Sequence, residues 1–394
     1  MPNNWAITSF EEIVELISGR DLETSSCNDI KEGIPYLIGA SNIVKRSLFI
    51  TRWTTKPIVI SQKNDILISC KGTIGEVIRN TIGDIHIARQ FMALRNNSIV
   101  DTNYIELYIR AILERIKSDA RGVIPGISRE DILCREILLP PLNEQKRIVL
   151  EASKLISIIE KINVDKNELV KGIAAYKLTI LQLAITGKLV PQDLSDEPAI
   201  DLLRRVNPNY KPCDNRHYAN VPETWEVVAL KDVTEIITGS TPSKLVPAYY
   251  SGDVPFYKPN DLDQGRHVKT ASEHLSQQGK EISRSIPSNS IAVCCIGSIG
   301  KCGYIEHEGV TNQQINTIIP NEAIFPLYLF YFCNSTSFID KLKSQSSAVT
   351  IPIVNKSKLS TIQIPLPPIS EQKRIVNAIE TIIHKLDIIV GEIL

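Results

Sequence analysis

The sequence lacks three features that would place it in a special structural class. None of its 394 residues lies in an apolar run of eighteen, so no membrane-spanning helix is expected. Its eight cysteines include no Cys-x-x-Cys pair, which argues against a zinc site or a disulfide framework and predicts mostly buried free thiols. An excess of one charge is also missing, because 44 basic residues balance 44 acidic ones. This balance argues against a nonspecific nucleic-acid coat.

A targeting segment is not expected either. Glu11 and Glu12 interrupt the place where a signal peptide needs an apolar stretch, so we predict a cytoplasmic protein without a membrane partner. The length predicts two or three domains.

Catalytic motifs are also lacking. The sequence contains no glycine-rich cofactor loop after a strand, no Walker loop and no His-Glu-x-x-His. The tetrapeptide Asn207-Pro208-Asn209-Tyr210 resembles the Asn-Pro-Pro-aromatic motif of adenine methyltransferases only superficially, since it lacks the second proline. We therefore predict that the chain is not an enzyme, has no catalytic residues and holds neither a metal nor a cofactor.

What the sequence does contain is an internal repeat. The stretch PPLNEQKRIV at 140–149 returns as PPISEQKRIV at 367–376, with eight of ten positions identical. Other landmarks recur in the same order. They pair Trp5 with Trp225, NDILISCKGTIG at 64–75 with NSIAVCCIGSIG at 289–300, Gln90 with Gln314, and Tyr104 with Tyr328. The chain is a tandem duplication of a module followed by a helix.

Between these landmarks the two modules differ, most clearly at 20–33 and 44–60 against 240–252 and 263–288. Short apolar runs bounded by Asn, Ser and Gly indicate strands, and Asn103–Lys117 and Pro326–Lys343 read as helices. We therefore predict an α+β fold for each module. A shared frame with different insertions is typical of two modules that recognise two different things, although loops also diverge fastest in any duplicated protein.

The segments after each Pro-Pro pair predict long helices, because Asn143 and Ser370 are good N-caps and apolar residues then recur every seven positions. The seam positions are Ile148, Leu155, Ile162, Leu169, Tyr176 and Leu183 with Ala152, Ile159, Lys166, Ile173 and Ile180 in the first helix, and Ile375, Ile382, Ile389, Ile379, Leu386 and Ile393 in the second. Such seams predict that the two helices pack on each other as a two-helix coiled coil that joins the modules.

The resulting division of the chain has five parts. They are a first module at 1–142, a long central helix at 143–187, a proline-rich linker at 188–224, a second module at 225–369 and a C-terminal helix at 370–394. Five prolines exclude a single helix over the linker.

Two variable modules that each close with Pro-Pro-x-x-Glu-Gln-x-x-Ile and a helix resemble the specificity (S) subunit of type I restriction–modification systems. The segment ITGKLVPQDLSDEPAIDLL at 185–203 is similar to the end of the central conserved helix in that family. The resemblance covers essentially the whole chain.

This resemblance implies a non-catalytic subunit whose modules are target recognition domains, each reading one half of a bipartite double-stranded DNA target. The helices would form an antiparallel two-helix coiled coil that separates the modules, and they would dock two methyltransferase (M) subunits. Restriction (R) subunits would complete the nuclease. S-adenosylmethionine, ATP and Mg²⁺ are expected on those partners and not on this chain. The alternative that zero net charge leaves open is a coiled-coil scaffold that binds two protein partners.

Residues that specify DNA sequence are expected in the divergent segments, where basic side chains alternate with aromatic and amide ones. For each single residue a solvated loop is about as plausible. The candidates are Lys45, Arg46, Arg52 and Lys56 around Trp53 in the first module, and Lys244, Tyr249, Tyr250, Lys258, Asn260, Arg266 and Lys269 in the second.

Positions shared by the two modules supply further candidates, each with two possible interpretations. Gly72-Thr73-Ile74-Gly75 and Gly297-Ser298-Ile299-Gly300 either cradle phosphate or, as we favour, are turns that need glycine. Lys71 and Lys301 flank these turns. Gln90 either reads an adenine edge or has a structural hydrogen-bonding role.

The repeated Glu-Gln-Lys-Arg runs are candidates for subunit docking. Their identity in two diverged copies slightly favours a common partner. The alternative is that the runs only complete the first helical turn and pack on the module. The docking candidates are Glu144, Gln145, Lys146 and Arg147, and Glu371, Gln372, Lys373 and Arg374.

Overall fold

The computed structural model describes residues 2–44, 46–119, 126–212, 221–346 and 352–394. The chain divides into two compact units, Met1–Asn163 and Val164–Leu394, and the division falls inside its longest helix. Each unit contains one of the repeated modules.

The first module is built on three small sheets and one additional pair of two-residue strands. Its strands are β1 (Ala6–Ser9), β2 (Val14–Ser18), β3 (Ile34–Leu37), β4 (Ile43–Val44), β5 (Ser47–Leu48), β6 (Trp53–Thr54), β7 (Ile60–Ser61), β8 (Ile66–Ser69), β9 (Val77–Arg79), β10 (Ile85–Ile87), β11 (Phe91–Asn96) and β12 (Glu136–Leu139). One sheet is antiparallel in the order β2-β11-β8-β9, another is mixed in the order β6-β3-β10-β7, and β1 pairs with β12. In the mixed sheet β3 and β10 run parallel.

The second module repeats this topology. Its strands are β13 (Glu226–Ala229), β14 (Thr234–Thr238), β15 (Tyr250–Tyr257), β16 (Glu273–Leu275), β17 (Ser285–Ile286), β18 (Ser290–Cys294), β19 (Cys302–Ile305), β20 (Gly309–Thr311), β21 (Ile315–Pro320) and β22 (Gln363–Leu366). The sheet orders are β14-β21-β18-β19, β16-β15-β20-β17 and β13-β22, and β15 and β20 are the parallel pair. The duplication seen in the sequence is therefore a duplication of fold.

Helices lie on the antiparallel sheets and also elsewhere in the two units. They are α1 (Thr102–Asp119), α2 (Glu130–Leu133), α3 (Leu142–Ile185), α4 (Ala199–Val206), α5 (Leu230–Val233), α6 (Gln277–Glu281), α7 (Pro326–Cys333), α8 (Thr336–Ser344), α9 (Lys356–Ser360) and α10 (Ile369–Ile393). The prediction of one helix over Pro326–Lys343 was wrong, because the hydroxyl of Ser335 accepts a hydrogen bond from the Phe338 amide and starts a new helix there.

In the first module the central strand β8 packs against a helix on one face and against the second sheet on the other. In β8, Ile66 and Ile68 pack in a cluster with Ile105 and Ile109 of α1, whereas Leu67 packs with Ile85 of the mixed sheet. Side chains alternate between the two faces of a strand, so one buried strand connects a helix layer with a second sheet. The predicted α+β class is confirmed.

The predicted antiparallel helix pair is present in the second unit. Lys177 of α3 forms an ion pair with Asp387 of α10, while Gln192, just after α3, hydrogen-bonds Glu371 near the start of α10. The helices α3 and α10 therefore run in opposite directions. Ile180 and Ile379 are almost fully buried at this contact. The predicted seam was wrong for part of the first helix, because Leu155, Ile159, Ile162, Leu169 and Tyr176 are 50–61% exposed.

The proline-rich segment contains a helix that packs on the second unit. Leu203 of α4 is fully buried in the same core as Trp225 and Tyr210, and the Ala199 amide donates to the Thr224 carbonyl. Tyr210, the aromatic residue of the tetrapeptide that superficially resembles a methyltransferase motif, is therefore a core residue.

The cysteines in the described part of the chain are free thiols, as predicted. Burial raises the pKa of Cys295 to about 11 and the pKa of Cys302 to about 12. The expectation of burial was wrong for Cys134, which is exposed. Within the described ranges no helix is long and apolar enough to cross a membrane.

Candidate nucleic-acid interface and helix junctions

The two Gly-x-x-Gly segments are tight turns at equivalent places in the two modules. Gly72 and Gly75 have φ of +77° and +85°, and Gly297 and Gly300 have φ of +79° and +89°. An L side chain rarely adopts these values, so the turn itself accounts for the glycines. Binding of phosphate by these turns stays a prediction. Lys71 is exposed beside the first turn.

Gln90 and Gln314 follow these turns at corresponding positions of the two modules, and both make contacts within the fold. The Gln90 carbonyl accepts from the Cys70 amide, and the Gln314 carbonyl accepts from the Cys295 amide. A Cβ on Gly39 would lie only 2.4 Å from Oε1 of Gln90, so the glutamine packs directly against the backbone there. These contacts favour the structural interpretation of Gln90, and its reading of adenine stays a prediction.

The candidate cations of the first module are mostly available to a ligand. Arg52 and Lys56 are exposed and form no ion pair with another described residue. Arg46, with φ of +60°, pairs with Glu160 of α3 although both side chains are more than half exposed. Lys45 lies outside the described residues.

Sequence reasoning missed Lys31 in this module. Its ammonium group lies 5.8 Å from the centroid of the Trp53 ring, a cation–π distance. Lys31 has φ of +65° in the divergent segment 20–33. The segment itself was recognised as variable, but the pairing with Trp53 depends on a tertiary approach.

In the second module the candidate cations are mostly engaged. Lys258 pairs with Glu273, Lys269 lies 3.9 Å from Glu306, and Lys301 lies 2.7 Å from Asp263. Lys244 is the exception, since it is exposed and forms no ion pair within the described ranges.

Arg266 is the most strongly engaged of these candidates. Its Nε donates to Glu380 of α10 at 2.9 Å, and its guanidinium lies 4.9 Å from the centroid of the Tyr304 ring. These contacts connect the recognition module to the helix and do not favour DNA contact by this side chain.

The polar candidates of the second module lie around the same divergent segment. The Tyr250 hydroxyl donates to the Pro242 carbonyl at 2.6 Å. The Tyr249 carbonyl accepts from the Ser276 amide, and Asn260 begins the 3-10 segment Asp261–His267. Their role in base recognition stays a prediction.

The repeated Glu-Gln pair in the first unit joins helix α3 to its module. Oε1 of Gln145 accepts from the Asp101 amide at 2.8 Å, while its Nε2 donates to the Pro140 carbonyl at 2.8 Å. Glu144 accepts from the indole N–H of Trp5 at 3.3 Å.

The second unit contains the same junction. Oε1 of Gln372 accepts from the Phe325 amide at 2.6 Å, and its Nε2 donates to the carbonyls of Ala323 and Pro367. Glu371 accepts from the indole N–H of Trp225 at 2.9 Å and from Gln192 at 2.7 Å.

The prediction of an exposed docking surface was therefore wrong for Gln145, Glu371 and Gln372. These side chains are at most 3% exposed because their polar atoms hold the helix N-terminus on the module. Arg374 is committed to Asp196 at 2.6 Å. Lys146, Arg147 and Lys373 are exposed, and docking through them stays a prediction.

Burial gives Glu371 a pH-dependent effect on stability. Desolvation raises the pKa of its carboxyl, against the opposing effect of the hydrogen bonds from Trp225 and Gln192. A raised folded pKa contributes stability below the unfolded pKa, and this contribution is lost as pH rises through the folded value. Glutamine does not ionise, so the melting temperature of Glu371→Gln relative to wild type is expected to rise as the pH increases from 4 to 7. One of the two hydrogen bonds to the carboxylate is lost at every pH, because glutamine has a single oxygen.

Thermal denaturation followed by circular dichroism at pH 4, 5.5 and 7 measures this difference. Glu392→Gln on the exposed end of α10 is the matched control. A difference in melting temperature between Glu371→Gln and wild type that stays constant or falls from pH 4 to pH 7 would contradict the assignment.

Comparison with known proteins identifies the family. A family model described as the type I restriction modification DNA specificity domain matches residues 2–171 and 222–394. The chain belongs to this family. It carries the specificity domain twice, once in each unit, and the resemblance inferred from the repeat is confirmed.

Curated relatives match it over different lengths. The chain is 30% identical to the MjaIX specificity subunit of Methanocaldococcus jannaschii over 39% of this chain and 37% of that protein. It is 35% identical to the HindI specificity subunit of Haemophilus influenzae over 37% of this chain and 33% of that protein. The match thus spans about a third of the length of these two relatives. The EcoDI specificity subunit of Escherichia coli is 20% identical over 99% of this chain and 83% of that protein.

Solved structures show the same fold. A structure of a type I R-M system matches 100% of this chain and 93% of that chain with a TM-score of 0.72 and 16% identity. The HsdS subunit from Thermoanaerobacter tengcongensis matches the same shares with a TM-score of 0.58 and 17% identity.

Proposed function

We propose that this specificity chain reads a bipartite double-stranded DNA target, with one half-site for each recognition domain, and performs no catalysis itself. The proposal rests on the contrast between the scaffold that the two modules share and the loops in which they differ. The four-stranded sheets of both modules have the same strand order, yet the sequences of segments 20–33 and 44–60 have no recognisable counterparts in the second module. Identical scaffolds with different exposed loops are suited to reading two different sequences.

The exposed cations support DNA as the ligand of these loops. Arg52, Lys56 and Lys244 lie in divergent segments, and Trp53 and Tyr249 provide neighbouring aromatic surface. Cations position a protein on the phosphates, while amide and aromatic groups contact bases. A neutral chain can bind DNA in this way if its free positive charge is concentrated in loops and its other cations are paired.

Methyltransferase subunits are the proposed partners of α3, with restriction subunits joining the assembly. In the first unit the outer part of this helix exposes a stripe of large apolar side chains: Leu150, Leu155, Ile156, Ile158, Ile159 and Ile162. Each is between 40% and 61% exposed. A stripe of this kind marks a protein-binding surface. S-adenosylmethionine, ATP and Mg²⁺ would be bound by these partners in the cytoplasm.

A long-read methylome of the source cell with and without the gene tests this function. Methyl-adenine at one split motif should disappear on deletion and return when the wild-type gene is restored. A methylome that does not change on deletion would contradict DNA targeting and would favour a protein scaffold.

A further inference from the structure

The same polar junction occurs twice in this chain. We define it as Trp5, Glu144 and Gln145 in the first unit and Trp225, Glu371 and Gln372 in the second. In each unit the tryptophan indole donates to the glutamate, and the glutamine accepts a backbone amide from the start of the helix-bearing segment after the central sheet. The glutamine also donates to the proline carbonyl that precedes the long helix.

These contacts attach the long helix to two parts of its module that are distant in sequence and also fix the turn that leads into the helix. In the second unit the distant parts are the chain before β13 and the loop before α7, and the turn is the proline pair that follows β22. A helix attached only through its connecting turn could pivot about it, whereas two further directional attachments restrict both its tilt and its rotation. Glu371 extends the attachment to the end of α3, because it also accepts from Gln192.

Stability alone does not account for this choice of residues. Buried carboxylates and amides stabilise less than apolar groups of the same size, and the pKa of Glu371 is raised by this burial. Directional polar contacts instead select one geometry among several that an apolar contact would allow. The Glu-Gln pair is identical in both copies although the recognition loops have diverged.

We propose that the junction residues are positioning residues that fix the angle between each recognition domain and its helix and thereby set the number of base pairs between the two half-sites. This inference rests on the proposed function. One base pair moves a half-site by about 3.4 Å and turns it by about 34°, since one turn of about 34–36 Å holds 10–10.5 base pairs. A rigid junction rejects this displacement, whereas a loosened junction tolerates it.

The test uses the complete chain in its source cell with its own partner subunits, and the readout is the set of spacer lengths methylated across the genome. Gln372→Ala removes three hydrogen bonds, and Trp225→Phe is a milder change that removes only the indole donor and keeps an aromatic ring. Both variants should keep the two half-sites and methylate motifs with spacers one base pair longer or shorter at least tenfold more often than wild type.

A third junction variant and a control separate positioning from general stability. Glu371→Gln keeps only one of the two oxygens that accept from Trp225 and Gln192, so it breaks one junction hydrogen bond and should also broaden the spacer set. Asn377→Ala, on the exposed side of α10, is the matched control, and its spacer set should match that of wild type.

The outcomes are distinguishable. Wild-type methylation at a split motif, with less methylation but an unchanged spacer set in the junction variants, would overturn the inference and leave the proposed function standing. If the wild-type gene supports no methylation at any split motif, the proposed function fails and the inference fails with it.

Discussion

Replacing Leu155 and Ile159 together by aspartate is expected to weaken assembly with the methyltransferase subunit strongly. These side chains lie four residues apart on one face of α3 and are 61% and 57% exposed. Burial of each would contribute about 1.5–3 kcal/mol to binding. Loss of both, with the added cost of burying charge, predicts binding weakened by at least about a hundredfold. Copurification and calorimetric titration with the partner subunit measure the loss.

The effect should fall on assembly and not on folding. Because both positions are already exposed in the free chain, the melting temperature is expected to stay unchanged. Asn163→Asp adds a negative charge at an exposed polar position of the same helix and is the matched control, with full assembly expected. If the double aspartate variant bound the partner as wild type does, docking would have to involve another surface.

The sequence was most informative about features repeated at a regular distance. The offset between Trp5 and Trp225 and the seven-residue spacing of Ile375 and Ile382 predicted the duplication and the helix pair. Both features rest on local patterns in the sequence. The duplication repeats a stretch of sequence, and the helices repeat apolar residues at a fixed interval. The glycine turns were predictable for the same reason, because a steric requirement for positive φ leaves few residue choices.

The roles of polar side chains were much less predictable. Arg266 and Glu380 are 114 positions apart, and only the tertiary fold shows that they are paired. The pair Glu371-Gln372 looked like a surface motif because charged and amide residues are usually exposed. The fold explains the burial of this pair, because Trp225 and the loop at Ala323 lie beside it and form hydrogen bonds with it. The parallel pairing of β3 with β10 is likewise a long-range contact that strand patterns do not reveal.

This division between free and paired cations leads to a second large expected effect, on DNA affinity. Removal of the free cations, by Arg52→Ala, Lys56→Ala and Lys244→Ala together, should weaken binding to a duplex with the split motif about a hundredfold, at roughly 1 kcal/mol for each cation removed. The slope of log affinity against log salt concentration should fall by about 0.9 for each phosphate that the protein no longer neutralises. Fluorescence anisotropy titrations at several salt concentrations measure both quantities.

The paired cations supply the matched comparison, because Lys258, Lys269 and Lys301 remove the same total charge when replaced by alanine. An ion pair already offsets the field of each of these lysines, so this triple variant should lose far less affinity and change the salt slope little. Equal losses in the two triple variants would mean that net charge governs binding and that the pairing seen in the free chain is irrelevant to DNA. A larger loss from the free cations would locate the phosphate contacts in the divergent loops, where sequence specificity is also expected.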